Sequence, residues 1–247
     1  MMDLKGKKVL VTGASSGIGA AIAIAFAQKG AIVCVHYRRN DKGAAATLAE
    51  VEKHSTGRTY QADLALRDKV KDMFSRIYED MGGIDILINN AGDARPGKMF
   101  DERVWEYEYK NIFLSALYAT EAFLALPSDT VRKIVNITSV YGTGSTSNPD
   151  FPQYSAAKAA LANLTATLAK SSREKVLVNG IAPGYTLTPA WAGTPEERKS
   201  EIAGTTLIGR FIEPQEIAHA AIFLAENDAM TGQIITVDGG TSLNKMA

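Results

Sequence analysis

Tyr154 and Lys158 stand four residues apart in Tyr-Ser-Ala-Ala-Lys, at the head of an Ala- and Leu-rich run with helical periodicity. That spacing stacks both side chains on one face of a helix. An ammonium beside a phenol favours the phenolate and lowers its pKa from the ordinary value of about 10. Such a pair gives or takes a proton near neutral pH, as general acid–base catalysis requires. A Tyr and a Lys one turn apart also decorate many solvated helices, so the reading depends on the residues around them.

Gly13, Gly17 and Gly19 lie in Thr-Gly-Ala-Ser-Ser-Gly-Ile-Gly, between a β-branched run and a helical pattern. A turn there lets backbone approach a pyrophosphate at a helix N-terminus, although the spacing is not Gly-x-Gly-x-x-Gly. The next strand ends His36-Tyr37-Arg38-Arg39 with no carboxylate until Asp41. An Asp at that strand end would hold the ribose 2′-hydroxyl of NAD. Its absence and two guanidiniums favour the 2′-phosphate of NADP, with NAD as the other possibility. Asn89-Asn90-Ala91-Gly92 and Ser139 each follow a buried strand, at the sheet edge where open α/β folds bind ligands. Asn111 sits inside a helical pattern, where Asn is mildly unfavourable. The three histidines have no evident Ser or Asp partner, which leaves a serine hydrolase poorly supported. With one cysteine they also lack metal-ligand spacing, so no metal is expected.

Strands must position these residues. Val9–Val11, Ala31–Val35, Thr59–Gln61, Ile84–Ile88, Ile134–Ile137, Val176–Asn179 and Gln233–Val237 read as strands. Helical patterns fall between them, including 41–53, 66–81, about 100–126, one opening near Tyr154 and one starting at Pro214. Ala182-Pro183-Gly184 reads as a strand break and 185–210 as irregular with one short helix. This alternation implies an α/β fold, a doubly wound, Rossmann-like parallel sheet with helices on both faces, as a single domain over 1–247. The 247 residues are 46% apolar and 22% charged, enough for one full core. Positive and negative side chains balance at 27 each, so nothing argues for nucleic acid or an anionic membrane. The lone Cys34 excludes a disulfide framework, and no apolar run is long enough to span a membrane, so a cytoplasmic protein is expected.

Taken together, Thr12 to Gly19, Asn89 to Gly92, Asn111, Ser139, Tyr154-x-x-x-Lys158, Asn179 and Pro183-Gly184 resemble the short-chain dehydrogenase/reductase family, from about Lys7 to Gly240. Within it the chain looks most like bacterial 3-oxoacyl-acyl-carrier-protein reductases and sugar or polyol dehydrogenases. The resemblance implies hydride transfer between NADP(H) and a carbonyl or secondary alcohol of a small molecule. Tyr154 would be the proton donor, and Lys158 would hold the nicotinamide ribose and depress the Tyr154 pKa. Ser139 would bond the substrate oxygen, and Asn111 would hold a relay water behind Lys158. Gly13, Ser15, Ser16, Gly17, Ile18 and Gly19 would line the pyrophosphate and ribose. Tyr37, Arg38 and Arg39 would meet the 2′-position, and Asp63 and Leu64 the adenine. Asn90, Ala91 and Gly92 would lie along the adenosine side, and Pro183, Gly184, Thr186 and Thr188 would border the nicotinamide.

The resemblance further implies a homotetramer, or a homodimer. Fourteen residues separate Ser139 from Tyr154, about two more than the family usually has, and the polar loop 142–152 suggests a polar substrate. Arg132, Lys133 and Arg173 are the basic residues on which an acyl carrier protein would dock. Residues 185–210 are expected to form a mobile lid. A non-catalytic dinucleotide-binding sensor is the alternative from another class, against which stands the presence of both Tyr154 and Lys158.

Overall fold

The computed structural model describes residues 1–143, 145–172 and 175–244. The strands are β1 (Lys8–Val11), β2 (Ile32–Tyr37), β3 (Gly57–Gln61), β4 (Ile86–Asn89), β5 (Arg132–Ile137), β6 (Val176–Pro183) and β7 (Ile234–Val237). They form one parallel sheet in the order β3-β2-β1-β4-β5-β6-β7. Parallel strands need crossovers, and the helices that supply them cover both faces. These are α1 (Gly17–Gln28), α2 (Asp41–Val51), α3 (Arg67–Met81), α4 (Glu102–Glu108), α5 (Ser115–Ala125), α6 (Pro152–Ser172), α7 (Glu196–Gly204) and α8 (Pro214–Glu226).

Side chains alternate across each strand and so split the core in two. Val9, Val11, Val33, Val35, Ile86 and Ile88 pack with α1 and α8 on one face. Leu10, Cys34, Leu87 and Ile134 pack with α3 and α5 on the other. β1 lies between β2 and β4, so the crossovers diverge at its carboxyl end and leave a crevice. Behind that crevice the buried Asn89 donates to Thr120 Oγ1 at 3.1 Å and to Asn136 Oδ1 at 2.9 Å. Asn136 in turn donates to Thr165 Oγ1 at 2.9 Å. This chain ties β4 and β5 to α5 and α6, the elements that carry the site.

Two local expectations change. The helical run expected over 100–126 is interrupted by a π-turn at Tyr109–Leu114, where the Ser115 N–H reaches back to the Lys110 carbonyl. β6 also continues through Pro183 instead of breaking there. In a parallel ladder the N–H of Pro183 would face β5, which has already ended at Ile137. Gly184 N resumes the bond to Val237 O at 3.0 Å, so the missing donor costs nothing.

Candidate active site

The turn from β1 into α1 is built to accept an anion. Gly13 and Gly17 have φ of +63° and +55°, a region L side chains rarely adopt. A Cβ on Gly13 would lie 2.9 Å from Ala91 Cα, and one on Gly19 would lie 2.4 Å from both Asn90 Nδ2 and Gly13 O. His36 Nδ1 accepts from Gly13 N at 3.0 Å, and Asn90 Nδ2 donates to Thr12 O at 2.8 Å, which fixes the turn from both sides. Ser16 opens α1 without capping it by its side chain, so the first-turn N–H groups point freely into the crevice. A cradle with no room for side chains and with unpaired donors at a helix N-terminus fits a dinucleotide pyrophosphate.

Gly13, Ser16, Gly17, Ile18, Gly19, Asn90, Gly92, Ser139, Tyr154, Lys158, Pro183, Gly184, Thr186 and Thr188 all line one cavity of about 560 Å³. Thus the cradle and the catalytic candidates share a single space. Ser139 lies just past β5, where Tyr141 N donates to its Oγ at 3.1 Å. α6 opens two residues before Tyr154 and puts Lys158 one turn on, below the phenol, its Nζ 5.6 Å from the ring centre. Burial opposes the expected depression of the Tyr154 pKa. Burial pushes the phenol up to about 12, only partly offset by the Ser139 hydroxyl. Lys158 turns its ammonium instead to the Ile137 carbonyl, at 2.7 Å, and burial lowers its own pKa to about 8.

Asn111 does not line the cavity that Lys158 enters. The π-turn rotates the helix so that Ile112 faces α6 and packs with Ala157, Leu161 and Tyr154. The Asn111 side chain accepts from Arg38 Nη1 at 2.5 Å and donates to Tyr107 O at 2.8 Å. Its carbonyl is taken by Ser115 Oγ at 2.7 Å. The Asn111 side chain is thus paired at the adenosine end of the crevice, and its part in a proton relay stays a proposal.

Arg38 reaches across the adenosine end of the crevice, also meeting Tyr107 Oη at 3.5 Å and lying 4.0 Å from Asp63. Asp63 and Tyr37 flank it half-buried, Leu64 is buried and Arg39 is exposed. Ser15 in the turn and Ala91 just past β4 do not line the cavity, and Ser15 O lies 3.5 Å from Asn40 Nδ2.

Beyond the catalytic candidates the cavity is walled by Tyr141, Phe151, Tyr185 and Trp191. Tyr141 meets Tyr154, Tyr185 and Phe151 at ring-centre distances of 6.3, 6.1 and 6.5 Å. Trp191 stacks edge-on against Phe211 at 5.0 Å. Asn148 Nδ2 donates to Tyr141 Oη at 3.0 Å, which donates on to Tyr185 Oη at 2.9 Å. The proton of Tyr185 is left available to a ligand acceptor.

Residues 13–242 match the family model described as enoyl-(acyl carrier protein) reductase. The 3-oxoacyl-[acyl-carrier-protein] reductase FabG of Thermotoga maritima is 30% identical over 250 residues, covering 97% of this chain and 99% of that protein. The chain belongs to the short-chain dehydrogenase/reductase family. It is an NAD(P)-dependent oxidoreductase acting on carbonyl and hydroxyl groups. The 3beta-hydroxysteroid dehydrogenase 1 of Eggerthella lenta is 36% identical over 253 residues, covering 98% of this chain and 95% of that one. The angucycline C-6 ketoreductase LanV, solved with bound NADP, superposes with a TM-score of 0.89 at 30% identity, covering 98% of this chain and 97% of that one.

Some expectations for this dehydrogenase/reductase are corrected by its side chains. The hydroxyls of loop 142–152 do not make its cavity polar. Thr143 Oγ1 donates to Val140 O at 2.9 Å and Thr146 Oγ1 donates to the same carbonyl, while Phe151 turns inward. Arg132 is buried and donates to Phe123 O and Leu126 O. Lys133 is buried against Asn227 O and Asp228. Neither is free to dock a carrier protein, and Arg173 lies outside the described residues. Residues 185–210 carry a 3-10 turn at Pro189–Trp191 as well as α7. The aromatic wall was missed because its members are scattered in sequence, although Tyr141 two residues after Ser139 was the available signal. No helix among the described residues is long and apolar enough to cross a membrane.

Proposed function

We propose that this protein is an NADP(H)-dependent ketone reductase whose substrate carries a flat ring beside the reacting carbonyl. The observation that carries the reading is the shared cavity, in which Ser139 and Tyr154 stand between the glycine cradle and an aromatic wall. Bound dihydronicotinamide supplies the hydride. Negative charge develops on the carbonyl oxygen as it arrives, and the protein's work is to meet that charge. Ser139 Oγ donates a hydrogen bond, and Tyr154 gives its proton. Pro183, Gly184, Thr186 and Thr188 orient the nicotinamide, and 185–210 closes over the substrate. Edge-on aromatic walls take a planar apolar ring better than a hydrated sugar, and the Tyr185 hydroxyl offers one fixed donor to a remote acceptor. The ring-bearing substrates named for the steroid dehydrogenase and LanV agree with this pocket. A linear 3-oxoacyl thioester, the reading favoured by FabG's name, makes no use of the aromatic wall, and Arg132 and Lys133 are buried away from any carrier protein. A homotetramer is part of the proposal, since β7 leaves an open, half-exposed sheet edge.

The deciding measurement is NADPH oxidation against a planar polycyclic ketone, a steroid ketone, a diketone, a ketose and a 3-oxoacyl thioester. The ring ketones are expected to have the highest kcat/KM. A preference for the ketose or the thioester rejects the ring, and no oxidation with any of them rejects the reductase.

NADP is favoured by Arg38, the guanidinium at the 2′-position, and by the NADP bound to LanV. Arg38→Ala should raise the KM for NADPH about tenfold while leaving NADH unchanged. A charge-assisted contact is worth about 1.5–3 kcal/mol, and part of it is spent releasing Asn111 and Tyr107. Equal weakening of both cofactors would show that Arg38 only holds the fold.

A further inference from the structure

Glu108 ends α4 fully buried, yet only half its carboxylate is satisfied. Oε1 accepts from Arg95 N at 2.8 Å, and Oε2 has no partner. Val104, Glu108 and Ile112 follow one another at four-residue intervals, and Ile112 packs on the Tyr154 turn of α6. A Cβ on Gly97 would lie 2.9 Å from Val104 Cγ1 and 3.1 Å from Gln153 Oε1, which puts the Val104 end of the stripe beside the first turn of α6. Gln153 Oε1, the residue before Tyr154, is a second buried acceptor without a donor. A buried acceptor without a donor is costly, and a proton on Glu108 Oε2 turns one of these two acceptors into a donor. The groups that face Glu108 are Asp93 and Arg95 from the loop after β4, and Lys158 and Tyr154 from α6.

We propose that Glu108 is a positioning residue for the reaction, holding or releasing a proton behind Lys158 and thereby setting the charge with which the Tyr154–Lys158 pair meets substrate. The inference rests on the reductase reading above. Burial, ahead of the repulsion from Asp93, raises the Glu108 pKa to about 7, against the Arg95 N–H, the Arg95 guanidinium and Lys158, which lower it. Below that pH the neutral acid leaves the phenol beside the Lys158 ammonium without the opposing Glu108 carboxylate. Above it the carboxylate keeps Lys158 cationic and holds the proton on Tyr154. Ionised Glu108 therefore favours the proton-donating form needed for ketone reduction and opposes the phenolate needed for alcohol oxidation.

The experiment compares wild type with Glu108→Gln. Alcohol oxidation in the wild type should show an inflection in kcat/KM near pH 7. Glu108→Gln should lose it and shift the alkaline limb to lower pH by about one unit, with the KM for NADP+ little changed. Glu108→Asp should partly restore the inflection, which a merely structural role would not. Infrared titration of the full chain provides a readout free of turnover. A protonated-carboxyl band disappearing near pH 7 is expected in wild type and absent in Glu108→Gln or, should that variant not fold, in Glu108→Leu. An identical band in the variants, or an unchanged pH profile, overturns the assignment to Glu108. Absence of all ketone turnover with the carboxyl band intact rejects the reductase reading and confines Glu108 to a titrating buried acid.

Discussion

Tyr154→Phe should lower kcat for ketone reduction by about 10³-fold while cofactor binding, read by fluorescence of bound NADPH, stays within about twofold. The substitution removes one hydroxyl and leaves the ring that packs edge-on against Tyr141. Positioned proton transfer contributes about 10²–10⁴-fold, and Tyr154 is the group assigned to supply the proton. Ser139 can still donate a hydrogen bond, which is why the loss stops short of the uncatalysed rate. The pH dependence follows from a phenol held at about 12 by burial. A group ionising that high remains loaded from pH 6 to 9, so Tyr154 itself imposes no loss of reduction there. Alcohol oxidation needs the phenolate, whose fraction grows tenfold per pH unit below the pKa, so the oxidative rate should climb across the same range. A Tyr154→Phe enzyme that keeps its rate would remove the proton donor from the mechanism and leave Ser139 as the only polar group at the reacting oxygen.

Much of this site was legible in the sequence for a definable reason. The glycine turn, the Tyr-x-x-x-Lys step and the strand ends are local: each is fixed by spacing within one element and by the position of that element in a doubly wound sheet. Gly13, Ser139, Tyr154 and Pro183 therefore meet at one crevice although they lie far apart along the chain. What was not legible depends on rotation about a helix axis or on which way a long side chain turns. A single π-turn moves Asn111 off the face toward α6 and puts Ile112 there, and hydrophobic periodicity does not register an insertion of that size. Lys133 and Arg132 carry charge in a strand that reads as partly polar, yet both are buried, because each finds acceptors at the ends of neighbouring elements. Glu108 gave no signal at all. A carboxylate on a helix is ordinarily solvated, and only the packing of α4 on α6 reveals that this one is not.

Lys158→Met should abolish most of the activity and at the same time stabilise the fold at neutral pH. Lys158 is buried, and its ammonium has a single partner, the Ile137 carbonyl at 2.7 Å. Burial lowers its pKa from the ordinary 10.5 to about 8. The unfolded chain thus binds the proton more tightly than the native one, and stability from this group rises with pH between about 8 and 10.5. Below pH 8 the full penalty is in force, about 3 kcal/mol at about 1.4 kcal/mol per pKa unit. Methionine fills nearly the same volume without a charge. It loses about 1.5–3 kcal/mol with the charge-assisted bond to Ile137 O, which leaves a net gain of up to about 1.5 kcal/mol at pH 7. Urea unfolding at pH 7 should show that gain as a higher midpoint with an unchanged slope, and it should fade as the pH approaches 10.5. The kinetic cost should be about 10³-fold in kcat, because the cation that stabilises the phenolate left when the proton departs is gone. A residue kept charged in an apolar seam, at the expense of the fold, is the trade expected where a site needs a strained electrostatic arrangement. A destabilised Lys158→Met variant would mean that the ammonium is held by a full ion pair with Glu108, and that burial is not what lowers its pKa.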